Sequence, residues 1–295
     1  MINRSLVVGA SGQVGAQIAL ALGGAAVCAA RTPRAPDWIE VDLESMASYP
    51  SRAAELVDGS NYDAIYCVGG ATDVERCEVD RDWAMDTNFL GPVALAKAAV
   101  DISFVYFSTE YVFDGVDGPY SEESEPSPIS VYGLSKFLAE QEILRVHPQA
   151  LIIRTTVVYG SDSREKNFLY SLHRSLSSGK TIRVPNDQIS TPTYNRDLAS
   201  ATLHLVRAGS SGIFHVCGPE LLSRYEFALK AANIMGHDAS LITGVPTTEL
   251  NQKAPRPLRA GLRIDRLRSC HPSISMRTAQ DGIAEWRGTL QGESR

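Results

Sequence analysis

The chain of 295 residues is 44% hydrophobic and 21% charged, with a formal net charge of −6 at pH 7. That length buries a large core, the composition excludes wholesale disorder, and no basic run marks a nucleic-acid footprint. Five scattered cysteines lack any Cys-x-x-Cys pair and six histidines lack ligand spacing, which reads as reduced thiols in a cytoplasmic protein without a metal site.

Residues 5–30 carry no formal charge and end in the alanine-rich stretch 25–30. They include Ser11, Gln13, Gln17 and five glycines, so no continuous apolar run is available for a secretion signal or membrane span. They read as strand, glycine turn, helix and strand. Short apolar runs at 6–8, 25–29, 38–41, 64–68, 103–107 and 151–155 are the predicted strands, and the first helix is expected over 13–22. Continuous apolar strands separated by helical stretches predict an α/β fold, a doubly wound parallel sheet whose strand carboxyl ends share one ligand-binding edge.

After Gly160 the rhythm changes. Helices are expected over 167–177, 196–207 and 225–235, and strands over 182–184 and 212–216. Pro255 and Pro257 exclude a helix interior for 254–259. The predicted organisation is a dinucleotide-binding domain over 1–160, with a returning segment near 187–215, and a substrate lobe over most of 161–295.

Gly9-Ala-Ser-Gly12-Gln-Val-Gly15 falls between the first strand and its helix. Glycines there permit a tight turn and close approach to a pyrophosphate, which a helix N-terminus attracts. A closely packed turn without a ligand uses the same residues. NAD sites place an acid about 20 residues further on, whereas arginine can take the 2′-phosphate of NADP. The second strand ends Ala29-Ala30-Arg31, with no acid before Asp37, which favours NADP(H) over a merely solvated Arg31.

Tyr132 and Lys136, four residues apart, share a helix face. Leu134, Phe137, Leu138 and Leu144 form an apolar arc roughly opposite, so the predicted helix buries that arc and presents the tyrosine–lysine pair. A nearby ammonium lowers a phenol pKa that starts at about 10 and suits the tyrosine to proton transfer near neutral pH. Thr109 follows the strand at 103–107 and can hydrogen-bond a substrate carbonyl at the sheet's carboxyl edge. An amphipathic surface helix and a turn threonine are the plainer alternatives.

These residues resemble the extended short-chain dehydrogenase/reductase superfamily and, within it, the dTDP-4-dehydrorhamnose reductase family. The carriers are the glycine turn, Ser108-Thr-Glu-Tyr-Val-Phe-Asp-Gly115, Val131-Tyr-Gly-Leu-Ser-Lys136, Arg154-Thr-Thr-Val-Val-Tyr-Gly160, Asn186-Asp-Gln-Ile-Ser-Thr-Pro-Thr193 and Arg256-Pro-Leu-Arg259. The resemblance implies catalysis by Thr109, Tyr132 and Lys136, with Glu110 and Tyr111 beside the reacting groups. It implies a cofactor site formed by Gly9, Ser11, Gly12, Gln13, Val14, Gly15 and Arg31, with Asp42 and Leu43 near adenine. Gly69 and Gly70 would lie near the ribose, and Asn88 would support the lysine. Asn167, Gln188, Arg256 and Arg259 would line a nucleotide-sugar site, and a homodimer without nucleic-acid or membrane partners is expected.

Two departures stand out. The family usually has aspartate where this chain has Glu110, and many members have tryptophan where it has Val157. The expected reaction is NADPH-dependent reduction of a nucleotide-linked 4-keto-6-deoxy sugar. The competing readings are an NADP-binding regulatory subunit, as in methionine adenosyltransferase, and a nucleotide-sugar epimerase or dehydratase.

Overall fold

The computed structural model describes residues 3–292, with side chains through Leu290. The first half runs β1 (Ser5–Val8), α1 (Gln13–Leu22), β2 (Ala26–Ala30), β3 (Ile39–Glu40), α2 (Leu43–Ser48), α3 (Ser51–Val57), β4 (Ala64–Cys67), α4 (Val74–Val79), α5 (Arg81–Met85), α6 (Gly91–Ala98), β5 (Ser103–Thr109), α7 (Val131–Val146) and β6 (Leu151–Thr155). The second runs β7 (Val158–Tyr159), α8 (Phe168–Ser177), β8 (Ile182–Pro185), β9 (Ile189–Ser190), β10 (Thr193–Tyr194), α9 (Asn195–Arg207), β11 (Gly212–His215), β12 (Leu222–Ser223), α10 (Arg224–Met235), β13 (Ile242–Val245), α11 (Asp265–Cys270) and α12 (Ala279–Gly292).

Seven parallel strands form one sheet in the order β11-β6-β5-β4-β1-β2-β3. Strand succession reverses between β1 and β4, so the loops leaving their carboxyl ends part and open a crevice there. Buried side chains alternate between the two sheet faces: Val7, Tyr66, Val105 and Ile153 enter one core, and Leu6, Ile65, Phe104 and Ile152 the other. A third core around Tyr159, Leu172, Phe227 and Trp286 fills the smaller lobe.

Three expectations are corrected. The third strand contracts to Ile39–Glu40, because the Trp38 amide donates to Ala35 in a turn instead of entering the ladder. The chain returns to the main sheet later than expected. Ile189–Ser190 pairs with Leu222–Ser223, while α9, which packs on α1, and β11 join the main body, as do Leu262, Ile264 and Leu267 further on.

The third correction concerns α7. It begins at Ser130, whose hydroxyl accepts the Gly133 amide at 3.2 Å, and stops at His147 before Pro148. Its deepest residues are Ser135, Lys136, Ala139, Glu140 and Ile143, while Leu134, Phe137, Leu138 and Leu144 are only half-buried. The predicted apolar arc is therefore not the face turned most deeply inward. The polar stripe goes inside because its partners wait there. Arg154 of β6 makes bonds of 2.6–3.2 Å to Glu140, and both side chains are shielded from solvent.

Removing one member of this pair leaves an uncompensated buried charge. Glu140→Ala is expected to cost about 3–5 kcal/mol of unfolding free energy, read from a urea titration. A loss below about 1 kcal/mol, the range of exposed pairs, would contradict this role.

Candidate active site

Below the crevice, α1 points its N-terminus at the end of β1. Gly9 has φ +91°, and a Cβ there would lie 2.5 Å from the Gly69 amide nitrogen. At Gly15 a Cβ would lie 2.3 Å from the Gly9 carbonyl oxygen, so the turn and helix can close together only over glycine. Gly12 caps α1 without a side-chain hydrogen bond, which leaves the helix's first amides facing the crevice.

The crevice holds a cavity of about 350 Å³. Its walls include Gly9, Ser11, Gly12, Gln13, Val14, Arg31, Asp42, Leu43, Gly69, Gly70, Tyr132 and Lys136, all expected there from the sequence. Gly15 packs behind the turn. Asn88 is fully buried outside the cavity wall and bonds the Ala71 amide, the Ala71 carbonyl and the Ser135 hydroxyl at 2.8, 3.0 and 3.1 Å. It braces the loop after β4 against α7.

Thr72, Trp83, Thr87, Ser108, Thr155 and Arg164 also line the cavity, and sequence reasoning did not single them out. Trp83 and Thr87 reach it through α5 and a single π-helical turn at Asp86–Leu90, which rephases the helix by one residue. The buried polar atoms Trp83 Nε1, Thr87 Oγ1, Ser108 Oγ and Thr155 Oγ1 have no hydrogen-bond partner among the described residues. A glycine cradle, a free helix N-terminus, Arg31 and four unsatisfied polar atoms fit an elongated, phosphate-bearing polar ligand.

At the inner end of this cavity the three proposed catalytic side chains converge. The Thr109 hydroxyl lies beside the Tyr132 phenol and accepts the Tyr111 amide at 3.3 Å. Lys136 Nζ donates to the Phe107 carbonyl at 2.9 Å and lies against Gly70, where a Cβ would be 3.1 Å away. Burial raises the Tyr132 pKa above its ordinary value, and the neighbouring Thr109 hydroxyl only partly opposes this. Burial also pulls the Lys136 amine down to about 8, against the opposing pull of Cys67, Cys77 and Glu140. Burial therefore governs the phenol, rather than the ammonium expected to lower its pKa, and Tyr132 is held as a neutral donor.

A second, narrower cleft lies on the other side of Tyr111, whose ring meets Tyr132 edge-on at 5.4 Å. Glu110, Tyr111, Val157, Gln188 and Arg224 line it. Arg256 borders it, hydrogen-bonding the Tyr111 hydroxyl at 3.3 Å while paired to Glu75 at 2.5 Å. Arg259 is exposed, and Asn167 instead caps α8 and ties Gly160 to Gln13. Arg224 was missed because it reads as the first residue of a helix. It lies over the Phe168 ring at 5.0 Å, near Glu110 and Tyr111.

Residues 3–288 match the family model described as "RmlD substrate binding domain". The chain belongs to this RmlD family. A relative in Haloferax volcanii, the probable low-salt glycan biosynthesis reductase Agl14, is 35% identical, covering 79% of each chain. The dTDP-4-dehydrorhamnose reductase of Mycolicibacterium smegmatis is 32% identical over 79% of this chain and 70% of that protein. The solved dTDP-4-dehydrorhamnose reductase of Bacillus anthracis, in complex with NADP, superposes with a TM-score of 0.87 at 28% identity, covering 97% and 99% of the two chains. The α/β architecture of this RmlD-family chain is thus shared along nearly its whole length.

Glu110 is 4% exposed, and burial raises its pKa to about 7, opposed by the nearby hydroxyls of Thr156 and Ser190 and by the charge of Arg224. A carboxyl raised on folding binds its proton more tightly in the native state. Its stabilising contribution is complete below the unfolded value and is lost as pH rises through about 7. The stability advantage of wild type over Glu110→Gln should therefore shrink between pH 5 and pH 8 in paired urea titrations. An advantage that grows over this interval would show that Glu110 is native as a carboxylate.

Proposed function

We propose that this chain is an NADPH-dependent reductase of a nucleotide-linked 4-keto-6-deoxy sugar. The observation that carries the reading is the meeting of Thr109, Tyr132 and Lys136 where the phosphate-fitting cavity adjoins the polar cleft. The named reductases among its relatives support the reaction class, and the NADP complex of the Bacillus anthracis reductase supports the cofactor.

In this reading the glycine turn and the N-terminus of α1 hold the dinucleotide's phosphates. Asp42 and Leu43 flank the adenine, and Arg31 faces the 2′-phosphate. The bound nicotinamide supplies a hydride. Thr109 orients the substrate carbonyl and donates to its oxygen. Tyr132 delivers the proton that the forming alkoxide needs. Lys136 sits on the same helix face, hydrogen-bonded to Phe107, where its charge steadies the phenolate left after transfer. Tyr111, Gln188, Arg224 and Arg256 receive the sugar nucleotide, with the arginines suited to its diphosphate.

Retention of this donor set argues for chemistry rather than a purely regulatory role. Arg31 in place of an acid at the second strand's end argues for NADPH over the NAD of epimerases and dehydratases. Tyr132→Phe should lower kcat for a dTDP-4-keto-6-deoxy sugar by about 10²–10⁴-fold and leave the NADPH Kd unchanged. Steady-state NADPH oxidation at the wild-type rate would remove Tyr132 from the mechanism.

A further inference from the structure

The loop between β7 and α8 reaches back across the mouth of the cofactor cavity. Arg164 on this loop lines the cavity, and a Cβ placed on Gly12 would sit only 3.6 Å from Arg164 Nη2. The guanidinium therefore overhangs the turn where the first amides of α1 emerge.

The placement is built into the loop. Asp162 is 4% exposed, and its Oδ1 accepts the Arg164 amide at 3.0 Å and Arg164 Nε at 3.3 Å. Its Oδ2 accepts the Lys166 amide at 3.3 Å. One edge of the guanidinium is thus anchored while Nη2 faces the turn. Two further contacts register the loop against the nucleotide-binding half. Arg34 donates to the Ser163 hydroxyl, and Asn167 Nδ2 donates to Gln13 Oε1 at 3.2 Å, with Gln13 being the first residue of α1.

An anion at the N-terminus of α1 would meet backbone amides on one side and a fixed guanidinium on the other. Charge-assisted bonds to phosphate oxygens are about twice as strong as neutral ones. Arg31 enters the same cavity from the end of β2, so the two arginines approach from different halves of the chain. We infer that Arg164 binds the cofactor's pyrophosphate, a contact supplied by the substrate side of the molecule, while Arg31 serves the 2′-phosphate. This inference rests on the dinucleotide reading given above. Filling the cofactor site would then fasten the β7–α8 loop, which is joined through β7 to Val157 in the wall of the sugar cleft, before the sugar nucleotide enters.

The test is a titration of the full chain with NADPH and with NADH, followed by nicotinamide fluorescence, for wild type, Arg164→Gln, Arg164→Lys and Arg31→Gln. Both dinucleotides carry the pyrophosphate, and only NADPH carries the 2′-phosphate. Arg164→Gln should weaken both by the same factor, about tenfold, with Arg164→Lys recovering part of the loss and thermal melting of each free variant unchanged. Arg31→Gln should weaken NADPH alone. Wild-type affinity for both dinucleotides in Arg164→Gln overturns the assignment, as does a loss confined to NADPH, which would place Arg164 at the 2′-phosphate. Failure of the wild type itself to bind either dinucleotide overturns the underlying cofactor reading as well.

Discussion

The arrangement depends on the burial of a polar stripe on α7. A helix that enclosed only its apolar arc would settle its tyrosine and lysine on an outer surface. Here Glu140 is drawn inward by Arg154 on β6, and Ser135 by Asn88. With those two anchors, the rotation of the helix about its own axis is set. Lys136, one turn before Glu140, then falls against the Phe107 carbonyl, and Tyr132, one turn earlier again, arrives beside Thr109. A buried ion pair adds little net stability over apolar packing, but a mispaired alternative leaves bare charges inside, so it discriminates strongly among helix orientations. For this protein, the placement of Tyr132 and Lys136 follows from that discrimination.

The same low-dielectric setting decides the titration of the site. Tyr132, Glu110 and Lys136 are each displaced toward the neutral form, with burial the largest cause in every case. In the proposed reaction, the raised phenol of Tyr132 makes phenolate costly to form, and the lysine on the same helix face would offset that cost. Glu110 adds a second protonatable group on the cleft wall, next in sequence to Thr109. Its Oε2 is buried without a hydrogen-bond partner among the described residues, beside the bonded pair Thr156 and Ser190.

Much of the nucleotide half was legible in the sequence because each element there obeys one local rule. Apolar runs became parallel strands, and three glycines became a turn because steric exclusion at Gly9 and Gly15 tolerates nothing larger. Arg31 was readable because it follows a strand end. Thr87 depends on a π-helical turn with no distinctive residue pattern, so its placement was hidden, and Asn88 on the same turn was reached only through the family resemblance. Arg224 and Arg164 occupy elements whose sequence looks like an ordinary helix start and an ordinary loop. Their significance comes from tertiary placement alone. The α7 stripe was misjudged for a related reason: periodicity registers apolar faces, and nothing in residues 131–146 announces the partner at Arg154.

Val157 shows how the sugar cleft differs from the expected one. It adopts φ +39°, a left-handed conformation that a β-branched side chain disfavours by about 1–3 kcal/mol. The strain persists because Thr193 donates to the Val157 carbonyl at 3.2 Å and the next residues pair with β10, holding the backbone from both sides. A tryptophan at this point would present a broad apolar ring to the ligand, whereas valine leaves the wall recessed beside Gln188, Ser190 and Arg224. The cleft's recognition consequently shifts from stacking toward polar contacts. A pocket that discriminates through hydrogen bonds rejects a ligand lacking the matching group far more strongly than one that relies on apolar area. In the proposed function, the departures at Val157 and Glu110 therefore change the cleft wall and leave Thr109 and Tyr132 in place.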